Sequence, residues 1–356
     1  MSSTTTKEQS AGPLGIVGSL AAGFEMVGRH LGLVVLPVLV DLFLWLGPRV
    51  SIAPLVKQLT TFLLSQSPSD PATAGQVAQA AEMLQQLGER SNLFALLSAF
   101  PLLNVPSLLA GHAPGIVSPL GQPHVVLTTS ILVLMAWGIV LVPTGLVLGF
   151  LYLNGLARQV RALRDAEEPK RVLRPGPAPN PAAAPAPGTA GGAAQPVEVS
   201  SGVGRFARIF LFAATLLVLG MVLVPLWMLL VGTIMAVIPL LGFLIWSVSI
   251  GLGSYLILHL LFVIPGVLLG GRGLLRATWE SILLIHKQFS SAVGLVLLGV
   301  LIYQGLGFVW SLPAGDSWAL LVGVLGNGCI ATGVTAALFV FYQERVGLLG
   351  ATRQAK

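Results

Sequence analysis

The sequence predicts an all-α fold: a polytopic transmembrane helical bundle of about six spans, with amphipathic interfacial helices and a small helical extracytoplasmic cap. Three observations carry that expectation. The 356 residues are 55% hydrophobic and only 9% charged, against roughly 25% charged in a soluble domain. Six apolar runs reach the length of a membrane crossing. The cationic residues are sorted to one side of those runs.

A crossing of the ~30 Å hydrocarbon core takes about 20 predominantly apolar residues, and the runs at 31–50, 125–153, 207–231, 241–270, 291–311 and 318–342 qualify. An even number returns the chain to its starting side, so both termini share a compartment. Lys and Arg flanking spans are retained in the cytoplasm. With the termini inside, sixteen of the nineteen Lys and Arg are cytoplasmic, and only Arg49, Lys57 and Arg90 lie outside. This sorting accounts for a pI of 9.9 without nucleic acid as a partner. Membrane lipids are the partners it implies. The polar opening "MSSTTTKEQSAG" leads to no small-residue cleavage pattern, so the first span itself is expected to direct insertion.

Taken in order, the chain divides into a cytoplasmic N-terminus with an amphipathic helix (1–30) and a two-span unit (31–164) enclosing an extracytoplasmic loop (51–123). A cytoplasmic linker (165–204), a four-span unit (205–342) and a cytoplasmic tail (343–356) follow. Within the loop, Ile52, Leu55, Val56, Leu59, Phe62 and Leu63 recur at helical spacing, as do Val77, Ala80, Ala81, Leu84 and Leu87. Asp70 before Pro71 has the form of an N-cap followed by proline in the first turn. Two amphipathic helices are therefore expected in the cap. Residues 93–110, "LFALLSAFPLLNVPSLLA", are uncharged but interrupted by Pro101 and Pro106. They read as an interfacial or re-entrant element, because a full span there would move Arg158, Arg161 and Arg164 outside. The 232–270 stretch is kept as one tilted or broken span for the same reason: two spans would expose Arg272, Arg276 and Lys287 to the outside. Residues 175–197 are rich in Pro, Ala and Gly and lack charged and aromatic side chains, the composition of a flexible tether.

Four ionisable groups gather in "GLLRATWESILLIHKQF" at 273–289, in a chain poor in charge. The stretch reads as an amphipathic helix on the cytoplasmic face. Arg276, Trp279, Glu280 and Lys287 are its candidate interfacial anchors, with an Arg276–Glu280 pair contributing little at an exposed surface. "GFEMVGRHLG" at 23–32 has a similar order, an aromatic-Glu pair followed by basic residues and then a span, which reads as a weak parallel repeat.

This stretch, with Ala277, Trp279 and Phe289, and the closing "TAALFVFYQERV" resemble short motifs of bacterial multi-pass proteins of the glycerophosphodiester phosphodiesterase membrane-domain-like group. The resemblance implies a bacterial polytopic protein of the inner membrane. The soluble phosphodiesterase barrel of such fusion proteins is absent, since no 250-residue alternation of strand and helix occurs. Phosphodiesterase activity does not carry over.

Catalytic motifs are missing: no GxxxxGK[ST], no HExxH, no GxSxG. The five histidines lack metal-ligand spacing. The single cysteine, Cys329, sits in an apolar setting as an inert thiol and rules out an intramolecular disulfide. No catalytic, cofactor-binding or metal-binding residue is assigned, and no cofactor is expected. Two intramembrane polar residues form the candidate site. Asp41 lies ten residues into the first expected span, about 15 Å deep, where a carboxylate must be neutral, paired or wet. His259 lies in the fourth expected span. The expected role is non-enzymatic: an envelope scaffold or accessory component with lipid contact, its protein partners and oligomeric state left open. The alternative is a small-solute or lipid transporter using Asp41 and His259.

Overall fold

The computed structural model describes residues 14–66, 70–100, 102–111, 117–172 and 202–354. The Pro/Ala/Gly-rich tether at 175–197 and His112 fall outside them. In chain order the helices are α1 (Ile16–Arg29), α2 (Val35–Leu46), α3 (Ala53–Ser65), α4 (Pro71–Arg90), α5 (Leu108–Gly111) and α6 (Ile131–Val172). They continue as α7 (Gly202–Val237), α8 (Pro239–Leu260), α9 (Val263–Gly270), α10 (Leu274–Lys287), α11 (Phe289–Trp310) and α12 (Leu320–Gln354). Two three-residue strands, β1 (Arg49–Ser51) and β2 (Val125–Leu127), complete the set. The protein is an all-α polytopic bundle.

Five segments are long and apolar enough to cross a membrane: Ile131–Asp165, Gly202–Val237, Pro239–Gly270, Phe289–Trp310 and Leu320–Val346. A sixth crossing requires α1 and α2 together, which are bent by 95° where they meet. Apolar side chains around α7, among them Val218, Met221, Leu226 and Leu229, are exposed. A helix that is apolar on every side belongs in lipid.

The chain forms two compact units, Met1–Leu153 with Lys287–Lys356, and Asn154–His286. This division does not follow the linker: the last two crossings share a unit with residues 1–153.

In the first unit, the expected span at 31–50 is corrected. The backbone leaves the helix at His30, passes through a 3-10 turn at Leu31–Leu33, and α2 then has only twelve residues. Its rise of about 18 Å does not cover a ~30 Å core. Nor is α1 a free interfacial helix, because it packs along α12. A Cβ on Gly23 would lie 2.5 Å from the Gly333 carbonyl oxygen and 2.6 Å from the Ala337 nitrogen, so only glycine permits this approach.

The bent pair is held to α12 and to the segment just before it. At one end, the Leu14 amide donates to Glu344 Oε2 at 2.8 Å and Arg345 donates to the Leu14 carbonyl at 3.0 Å. At the other, Trp45 Nε1 donates to the Gly315 carbonyl at 2.7 Å and its ring meets Trp318 edge-on. Counted as one, the pair is the candidate sixth crossing, broken at His30.

The expected span at 125–153 begins later, at Ile131. Residues 125–127 instead pair in parallel with Arg49–Ser51, which ties the exit of α2 to the entry of α6. The intervening loop supplies the crossover that a parallel pair needs. Two helices form much of that loop, as the periodicity predicts: α3 and α4 pack on each other, with Gly88 against Val56.

In the second unit, α7 and α8 form a hairpin with a break at Ile238 alone, and Pro239 opens α8 at a position where its missing N–H costs nothing. The expected span at 241–270 is broken at Leu261–Phe262. The hydroxyl of Ser281 on α10 repairs that break, donating to the His259 carbonyl at 2.6 Å and accepting from the Phe262 amide at 3.2 Å. Backbone groups freed within a membrane must find such partners.

Candidate functional site

Asp41 is fully buried on α2. It lies five residues before Leu46, a rise of about 8 Å from the end of the helix. Both carboxylate oxygens are engaged. Oδ1 accepts from the Ser107 hydroxyl and from the Leu109 amide at 3.1 Å; Oδ2 accepts from the Leu108 amide at 2.9 Å. These donors are the otherwise orphaned first-turn groups of α5. Ser107 also caps that turn, accepting from the Ala110 amide at 3.0 Å. Asp41 therefore clamps a one-turn helix that lies 66 residues away in sequence.

The segment so clamped is the one left open between interfacial and re-entrant. Only Leu93–Ser98 and α5 are helical in it, as a 3-10 turn and a single α turn. Its Leu97, Phe100, Leu103, Val105 and Leu108 are buried. Glycines of α6 make room for its backbone: a Cβ on Gly145 would lie 2.9 Å from the Leu96 carbonyl oxygen, and one on Gly149 would collide with the Leu103 carbonyl. Irregular backbone is tolerated at membrane depth only where protein or a wet cavity surrounds it. This segment is packed inside the first unit, against α6.

Tyr303 of α11 donates to the Ser107 carbonyl at 3.4 Å and sits beside Asn327 of α12. Next to these groups lies a cavity of about 350 Å³, lined by residues of the 91–111 segment and Tyr303. Asp41 does not line it. Ser107 stands between the two.

His259 belongs to the second unit and has its own partners. Its Nδ1 lies 2.8 Å from the Tyr255 carbonyl and its ring is 4.2 Å from the Tyr255 ring. It is buried to 8% exposure. Asp41 belongs to the first unit and His259 to the second.

The expectation of a weak exposed pair in 273–289 is also corrected. Glu280 is only 7% exposed. It pairs with Arg272 and, at 3.2 Å, with Arg276 Nε, while Arg208 of α7 donates to the Gly271 and Arg272 carbonyls at 2.9 and 3.3 Å. Glu280 is thus the buried centre of a helix-end junction joining α7, α9 and α10. Arg276 and Trp279 remain exposed, at 64% and 62%, and Lys287 is exposed at the end of α10.

Sequence reasoning marked Asp41 as a polar group in apolar surroundings and Glu280 as an interfacial anchor. It missed Ser107, Tyr303 and Ser281, which carry no signal because hydroxyls are common in membrane helices and loops. Among the described residues no three His, Cys, Asp or Glu side chains gather as a metal site. No family model, curated protein or solved structure matches this chain.

Proposed function

We propose that this protein is a non-enzymatic scaffold or accessory component of the bacterial cell envelope, seated in the inner membrane with both termini in the cytoplasm and in contact with lipid. One observation carries the reading. Every hydrogen bond described on Asp41 holds the 93–110 segment, so this buried carboxylate of the first unit is spent on architecture. A carrier residue would instead face a path and exchange partners during transport. The exposed apolar surround of α7 and α8 supports lipid contact, and the sorting of Lys and Arg supports the orientation.

The test is purification of the full chain in a mild detergent, with identification of co-purifying proteins and lipids. A stoichiometric envelope protein is the expected result. Solute or lipid movement by the chain alone in proteoliposomes, abolished by replacing Asp41, would overturn the reading in favour of a transporter.

A further inference from the structure

The cavity beside Ser107 is a built polar recess that the scaffold reading does not use. Asn92, Asn104, Ser91, Ser98, Ser107 and Tyr303 contribute its polar lining. Asn92 is 7% exposed. Its Oδ1 accepts from the Val50 and Phe94 amides, both at 3.2 Å, yet no hydrogen bond among the described residues engages its Nδ2. The Asn104 carboxamide likewise has no bond among them. Asn92 lines this cavity from a buried position and Asn104 from a half-buried one, so two carboxamides are available to a polar occupant.

The lining selects the chemistry of that occupant. It carries no carboxylate, ammonium or guanidinium group, and an ion there would lose its hydration without a counter-charge. A carboxamide offers a donor and an acceptor side by side, which suits a hydroxyl that can act as both. The apolar part of the wall, Leu93, Leu96 and the Tyr303 ring among it, suits the C–H face of a sugar ring. A volume of about 350 Å³ falls at the small end of the ligand-site range of roughly 300–1,000 Å³. We propose that this cavity binds an uncharged, hydroxyl-bearing ligand of sugar or polyol type, held by the Asn92 and Asn104 carboxamides. The source is either a free sugar or the headgroup of a neutral glycolipid.

The experiment uses the full chain purified in a detergent without a sugar headgroup, lauryldimethylamine oxide. One arm measures saturation-transfer NMR with methyl β-D-glucopyranoside. The other measures retention of monoglucosyl diacylglycerol by the protein in phosphatidylcholine nanodiscs. Saturable binding in either arm is the expected result, and the arm that responds identifies the source. Asn104→Leu removes one carboxamide, and loss of a hydrogen bond with its partner left desolvated should weaken binding about tenfold. Ala99→Trp, at an exposed rim position, fills the mouth without touching Asp41 or Asn92 and should weaken binding at least as much. It decides the matter should Asn104→Leu fail to fold. No saturable binding in either arm would overturn the proposal, as would binding unchanged by both substitutions or equal binding of methyl phosphate.

Discussion

At the residue scale, Asp41 and Glu280 do different work from what their positions in the sequence imply. Because both Asp41 oxygens accept hydrogen bonds, Asn is not a neutral replacement: its NH₂ would face an N–H or hydroxyl donor. Asp41→Asn should therefore lower stability by about 1–3 kcal/mol, and Asp41→Leu by at least as much, since each leaves buried donors unsatisfied. Ser107→Ala removes one clamp bond and the α5 cap, a loss of about 1 kcal/mol. Thermal unfolding in detergent checks the order; an Asn variant as stable as the parent would show that the clamp is dispensable. For Glu280, removal leaves Arg272 beside a buried void in place of its ion partner. Glu280→Ala should destabilise by about 1–3 kcal/mol, the cost of a largely desolvated polar group that loses its partner, whereas Arg276→Ala, at an exposed side chain, should change stability by about 1 kcal/mol or less. Equal losses from the two would place Glu280 back at the surface. Asp41 stands out in the sequence as a charge within an apolar run, and Glu280 as one of four ionisable groups in an amphipathic stretch. Their partners do not, because Ser107 is 66 positions from Asp41 and only the folded chain brings the two together.

At the scale of elements, the contact between α1 and α12 depends on glycine. Gly23→Ala would force backbone against backbone and should destabilise the first unit. Gly28→Ala on the same helix meets nothing within 4 Å and should be neutral or stabilising, by about 0.5–1 kcal/mol through helix propensity. Comparing the two by thermal unfolding separates packing from propensity. If both variants behaved alike, close approach to α12 would not be what holds α1. The long elements were legible because length and hydropathy suffice: α7 contains the run at 207–231, and α11 closely matches the run at 291–311. The cap helices were legible from their 3.6-residue periodicity. The break at His30 was not, since apolar residues continue unbroken on its far side and the bend arises from packing against α12. The strands were equally hidden. Three residues are too few to show an alternating pattern, and their pairing joins chain segments about 75 positions apart.

At the scale of the molecule, the first unit has two distinguishable ends. Leu14, Glu344 and Arg345 meet at one; Trp45, Gly315 and Trp318 meet at the other, and β1 and the cap follow directly from α2 there. The cap therefore lies at the end away from Leu14, and six crossings with α1 and α2 counted as one place it outside if the termini are inside. Charge sorting is the sequence feature that predicts which end faces the cytoplasm, and it requires no knowledge of the fold. The most direct measurement is labelling of single cysteines by a membrane-impermeant maleimide in intact cells, in a Cys329→Ser background. Asp70→Cys, at the tip of the cap, should react, and Pro185→Cys and Gly350→Cys should be protected until the membrane is opened. Reaction at position 185 from outside, or protection at position 70, would contradict the six-crossing protein with its cap outside the cytoplasm.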